Sequence, residues 1–157
     1  ALAKTIPSVF LYATDISSVA LEVTKINIDI HGVPDRVILL EGDLLEPLTQ
    51  RVDVIICNPP YITNRDYRSL PGEIKNHEPS IALSGGLDGL TLIQRLLHQV
   101  HTNVDNIGAL FMEIGYDQGD EVIKLARALF PQANINLVRD LMGINRVLTI
   151  EKLQSEL

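Results

Sequence analysis

The sequence predicts an α/β fold: a mostly parallel sheet with helices on both faces and one antiparallel edge strand. Three observations carry this expectation. Short apolar runs at 9–14, 37–40, 52–57 and 109–114 alternate with longer segments of helical periodicity. The run Val52-Asp53-Val54-Ile55-Ile56-Cys57 is so apolar that it reads as a strand buried on both faces of a parallel sheet. The last two runs, 135–138 and 147–150, are joined only by the hinge Asp140-Leu141-Met142-Gly143. That is too short for a parallel crossover, so they are expected to form an antiparallel pair at one edge.

Each element has a local reason. Residues 1–6 read as the last turn of a helix stopped by Pro7. The first strand ends at Asp15, and Ser17-Ser18 can cap the helix that follows, with apolar positions at Val19, Ala20, Val23, Ile26 and Ile30. Gly32-Val33-Pro34 closes that helix, and Gly42-Asp43 ends the second strand. The third strand stops on Asn58-Pro59-Pro60-Tyr61, because neither proline has an N–H to give to a neighbour. Between Tyr61 and Ser84 no period survives and Pro71, Gly72 and Pro79 interrupt, which predicts a long loop, either functional or disordered. Helical spacing returns over 87–104, with Leu90, Leu92, Ile93, Leu96, Leu97 and Val100 apolar. It appears again over 120–130, up to Pro131.

A chain of 157 residues with 46% hydrophobic content can bury one core, and residues 1–157 are expected to form one partial catalytic domain. No apolar run is long enough to span a membrane, and the start lacks the charged-then-apolar order of a signal peptide. A single cysteine, Cys57, forms no internal disulfide and fits a reducing, cytoplasmic setting. A net charge of −7 without a basic cluster argues against a nucleic-acid partner held by its phosphates.

The strongest chemical signal is Asn58-Pro59-Pro60-Tyr61, a rigid turn where open α/β sheets place ligands. An amide or aromatic-amine nitrogen attacks a methyl group poorly because its lone pair is delocalised. Two acceptors taking both of its hydrogens, the Asn58 side-chain oxygen and the Pro59 carbonyl, favour a tetrahedral, more nucleophilic nitrogen. The remaining work is positioning and electrostatics, and Tyr61 can lie over the flat group. Asp15, between a strand and a helix, can accept both hydroxyls of a ribose or simply favour helix entry. Asp43 can accept the amine of an adenine or serve as a turn residue. Glu113 would be costly if buried unpaired, so it binds substrate or pairs with a helix. Arg146 is a partner for an internal acid. His77-Glu78-Pro79 and Ser84-Gly85-Gly86-Leu87-Asp88-Gly89 form a second cluster, whose glycines permit a backbone approach to a ligand or simply shape a helix start. His98 and His101 have metal-ligand spacing but no further ligands, so no metal is expected.

These segments occur in order along nearly the whole chain. Ala13-Thr14-Asp15-Ile16-Ser17 comes first, then Asn58-Pro59-Pro60-Tyr61-Ile62, His77-Glu78-Pro79 and Gly85-Gly86-Leu87-Asp88-Gly89. Glu113-Ile114-Gly115 with Gln118-Gly119 and Asp140-Leu141 with Gly143 and Arg146 follow. Together they resemble the HemK-type release-factor glutamine methyltransferases, class I enzymes that use S-adenosylmethionine. The resemblance implies a Rossmann-like sheet and methyl transfer to a glutamine side-chain nitrogen of a peptide-chain release factor. It implies cofactor contacts from Asp15, Ile16, Asp43, Leu44 and Asn58, and substrate contacts from Asn58, Pro59, Pro60, Tyr61 and Glu78. It also implies a glycine-rich loop and a first strand before Ala1, so the chain is expected to be the C-terminal portion of a longer enzyme. Two other readings stand beside it: an adenine-N6 methyltransferase acting on DNA or RNA, and a catalytically inactive binding domain. With the glycine-rich loop missing, the 157-residue chain alone is predicted to bind S-adenosylmethionine weakly or not at all. Titration calorimetry should detect no micromolar affinity.

Overall fold

A computed structural model of the chain describes residues 1–103 and 107–151. It divides into two compact units, residues 1–50 and 51–157. The first contains helix α1 (Leu2–Thr5), strand β1 (Leu11–Asp15), helix α2 (Ser18–Ile30), a 3-10 turn (Pro34–Arg36) and strand β2 (Val37–Glu41). β1 and β2 pair in parallel, from Leu11 opposite Val37 to Asp15 opposite Glu41. As expected, Ser17 caps α2, its hydroxyl accepting from the Ala20 amide. A small core of Ala3, Ile28 and Val33 packs with Leu11, Val37 and Leu39. α2 departs from the simple sequence picture. Its stripe Val19, Val23, Ile26 and Ile30 is exposed, and the buried residue is Ile28 on another face. A helix with apolar side chains on two faces gives no single burial direction to its sequence pattern.

The second unit contains β3 (Val52–Cys57), α3 (Asn64–Ser69), α4 (Gly72–His77), α5 (Thr91–Thr102), β4 (Ile107–Glu113), α6 (Gly119–Leu129), β5 (Asn134–Arg139) and β6 (Asn145–Glu151). Its sheet has the order β3-β4-β6-β5. β3 and β4 are parallel, and β6 runs against both β4 and β5. The antiparallel pair therefore lies at one edge. Its reversed member, β6, is the inner strand, inserted between β4 and β5. α5 packs against α6, and α6 against β5 and β6. Leu96 and Leu97 from α5, Leu110 and Met112 from β4, Val122 from α6, and Leu148 and Ile150 from β6 are fully buried.

Two expectations change here. β3 is not buried on both faces: Ile55 is in the core, whereas Val54 and Ile56 are 48% and 63% exposed. The period of two sends these residues to opposite faces, and among the described residues β3 has a ladder partner only in β4. The segment 61–84 is not a bare loop but holds α3, α4 and a 3-10 turn (Ser80–Ala82). Thr63 caps α3, accepting from the Asp66 amide, and Pro71 precedes α4. Six-residue helices are too short to write a readable period into the sequence. α5 begins at Thr91 rather than 87, because Asp88 accepts from the Leu90 amide in a turn. Val104, the expected end of that helix, lies outside the described residues. No helix among the described residues is long and apolar enough to cross a membrane. Truncating Leu110 in the central strand, Leu110→Ala, should cost about 2–5 kcal/mol in urea unfolding.

Candidate active site

The turn after β3 is built at the carboxyl end of the four-stranded sheet. Cys57 sits opposite Met112, so Asn58 leaves the ladder level with the last residue of β4, Glu113. β6 enters beside the same end, with Val147 opposite Glu113. Pro59 is buried and Asn58 is exposed. Among the described residues the Asn58 side-chain amide makes no hydrogen bond within the protein, which leaves its oxygen to a ligand.

Tyr61 is held at both ends. Its phenol donates to Glu113 Oε1 at 2.9 Å, and its carbonyl accepts from Gln118 Nε2 at 3.1 Å. Burial first, then the hydrogen bond and charge of Glu113, push the Tyr61 phenol above its usual range, against the pull of the Arg146 guanidinium. At neutral pH the phenol is thus a neutral donor. Glu113 takes a structural pairing role, but its partner is the Tyr61 phenol of the turn rather than a helix. Arg146 has its internal acid: Nε lies 3.4 Å from Asp140 Oδ2, and Nη1 donates to the Ile114 carbonyl at 3.1 Å. Asp140 also accepts from the Met142 and Ile144 amides. The Ile144 amide foremost holds its carboxyl below the usual range, so it stays charged and fixes the β5–β6 turn.

The chain beyond Tyr61 lies along 83–86. Ile62 N donates to Leu83 O, Gly85 N to Ile62 O and Asn64 N to Gly86 O. Gly85 and Gly89 make this approach possible. A Cβ on Gly85 would sit 2.7 Å from Tyr61 Cα, and one on Gly89 would collide with the Tyr61 carbonyl and Gln118. Gly89 also holds φ +75°, which other residues rarely adopt. The glycine cluster therefore serves the loop around Tyr61. Gln118 is the participant to which the sequence reading gave no role. The signal was available as a polar side chain three residues past Gly115, in a turn between an apolar strand and helix.

Of the remaining expected residues, Asp15, Ile16, Asp43 and Leu44 lie in the first unit. Asp15 ends β1, one carboxylate oxygen accepts from the Ser17 amide at 2.8 Å, and the carboxylate is exposed. Its carbonyl accepts from Gly42 N, which brings the 42–44 turn beside it. Leu44 has φ +52°, an uncommon conformation for a leucine. An exposed acid at a strand end beside a turn suits a ribose and its base, the part of S-adenosylmethionine expected there. Glu78 follows α4, is exposed, and makes no hydrogen bond to residues 58–61 among the described residues. His101 stacks edge-on against Phe130, and His98 is exposed. Cys57 lies under the turn, and burial pushes its thiol up to about 11.

With this geometry in view, comparison with known proteins is informative. The chain is 36% identical over 144 residues to a release factor glutamine methyltransferase of Bacillus cereus, covering 90% of the chain and 50% of the relative. It is 40% identical over 146 residues to that of Moorella thermoacetica, covering 92% and 51%. By sequence the chain is similar to release factor glutamine methyltransferases along nearly its whole length. It spans about half the length of the curated relatives it matches. A family profile described as methyltransferase small domain matches residues 1–73. It is also 42% identical over 107 residues to a ribosomal protein uL3 glutamine methyltransferase of Bordetella pertussis, covering 68% and 36%. Among solved structures, the fold resembles a methyltransferase from Pyrococcus furiosus (TM-score 0.67, 14% identity, 96% of this chain and 66% of that one). It also resembles the N-terminal domain of human METTL16 in complex with SAH (TM-score 0.64, 15% identity, 96% and 55%). The Rossmann-like fold expected from the sequence is thus the fold of this chain.

The raised thiol predicts that Cys57 is no nucleophile, with roughly one part in 10⁴ ionised at pH 7. Iodoacetamide should label it far more slowly than free cysteine in the folded protein, and at the ordinary rate in urea.

Proposed function

We propose that the chain carries the amide-holding part of an S-adenosylmethionine-dependent protein-glutamine N-methyltransferase whose substrate is a peptide-chain release factor. The observation that carries this reading is the exposed Asn58 amide, unengaged by the protein, on a proline-rigid turn fixed by Tyr61. Asn58 Oδ1 and the Pro59 carbonyl accept the two hydrogens of the substrate NH₂, and Tyr61 packs beside the flat amide. S-adenosylmethionine, when bound, would supply an electrophilic methyl group, and the part of this chain is to hold the substrate nitrogen by its two hydrogens so that its lone pair is free to face that methyl. Asp15 and Ile16, with Asp43 and Leu44, hold the ribose and adenine of the cofactor. Glu78, exposed on the loop between Ile62 and Ser84, contacts the substrate protein. The names of the relatives support a translation factor as substrate and hence action in the cytoplasm.

A glutamine of a ribosomal protein is the second reading, favoured by the identity to the uL3 enzyme. The net charge of −7 disfavours a nucleic-acid substrate. The test is a radiolabel assay with the full-length protein, offering release factor, uL3 and an oligonucleotide side by side. Label on the release factor is expected, and label only on the oligonucleotide overturns the proposal. In the same assay Asn58→Ala should lower turnover by about 100-fold or more with cofactor binding little changed. Near-normal turnover would refute the role given to Asn58.

A further inference from the structure

We infer that Gln118 is a positioning residue: its side-chain amide clamps the Asn58–Tyr61 turn to the Gly85–Gly89 loop and so sets the geometry in which the substrate amide is held. For methyl transfer, the inference rests on the function proposed above. Gln118 is only 7% exposed, and its side chain is fully used. Oε1 accepts from the Gly115 amide at 2.8 Å, which ties it to the turn leaving β4. Nε2 donates to the Tyr61 carbonyl and to the Gly89 carbonyl, each at 3.1 Å. One planar group thus joins three segments that are remote in sequence: the end of the Pro-Pro turn, the loop before α5 and the start of α6.

The surroundings are shaped for this group. A Cβ on Gly115 would stand 2.9 Å from Oε1, and one on Gly89 would strike Nε2. Two carbonyls converging on one NH₂ cannot be served by a carboxylate, which has no hydrogen to give at neutral pH. The Tyr61 carbonyl lies two residues from the Pro59 carbonyl, across a proline with little backbone freedom. Movement of one is therefore transmitted to the other.

Gln118→Glu tests this in the full-length protein, since it retains the size and the acceptor for Gly115 but loses both donors. Gln118→Met, uncharged and of similar length, stands beside it should the carboxylate prevent folding. Hydrogen exchange at Ile62, Gly85 and Thr91, whose amides bond Leu83, Ile62 and Gly85, reports the clamp directly. Exchange there should quicken by about tenfold or more while β4 amides keep their protection. Turnover should fall by about 10- to 100-fold with the KM for S-adenosylmethionine within about twofold. Unchanged loop exchange, or an equal rise across β4, overturns the clamp. Faster loop exchange with wild-type turnover overturns its catalytic consequence. If the wild-type protein methylates no glutamine substrate, the proposed function fails, while the exchange pattern still decides the clamp.

Discussion

A proline has no backbone hydrogen to give, and the candidate site is arranged around that fact. The chain leaves β3 through Pro59 and Pro60, so the ladder that fixes residues 52–57 against β4 cannot hold the turn. Its position has to come from elsewhere. The structure supplies it through the Tyr61 phenol on Glu113, the Tyr61 carbonyl on Gln118, and the short parallel run of Ile62 beside Leu83 and Gly85. These anchors begin immediately after the prolines, so a loop free of sheet hydrogen bonds is restrained within one residue of its stiffest part.

The same end of the sheet has a consistent electrostatic design. Asp140 is held charged by two backbone amides and Arg146, and Arg146 also grips the Ile114 carbonyl and faces the Tyr61 phenol. The phenol in turn stays neutral beneath Glu113. The charges are thus satisfied among the supporting residues, and the group aimed outward, Asn58, is an uncharged amide. The neutral amide substrate proposed above would meet acceptors there without displacing a charge.

Much of this was legible in the sequence because it is local. Asn58-Pro59-Pro60-Tyr61 ends a strand by covalent geometry, Ser17 caps the helix that follows by taking the amide three residues on, and the five residues between β5 and β6 force an antiparallel pair. The parts that were not legible depend on distant partners. No pattern near Gln118 shows that it reaches residues 57 and 29 positions away. The glycines at 85 and 89 suit a ligand approach or a helix start equally well in sequence, and only the folded chain places the Tyr61 backbone against them. The outward faces of α2 and β3 were misjudged for the related reason that apolar composition records affinity for burial but not direction. α3 and α4 were hidden by their brevity.

The Gln118 side chain has a final implication. It is a glutamine amide whose two hydrogens are taken by two carbonyl oxygens, the pairing that Asn58 and Pro59 are proposed to offer a glutamine from another protein. The fold therefore contains, in its own interior, a working copy of the recognition it is proposed to perform. The side chain is enclosed, and a methyl group on that nitrogen would undo the contact that keeps the turn in place.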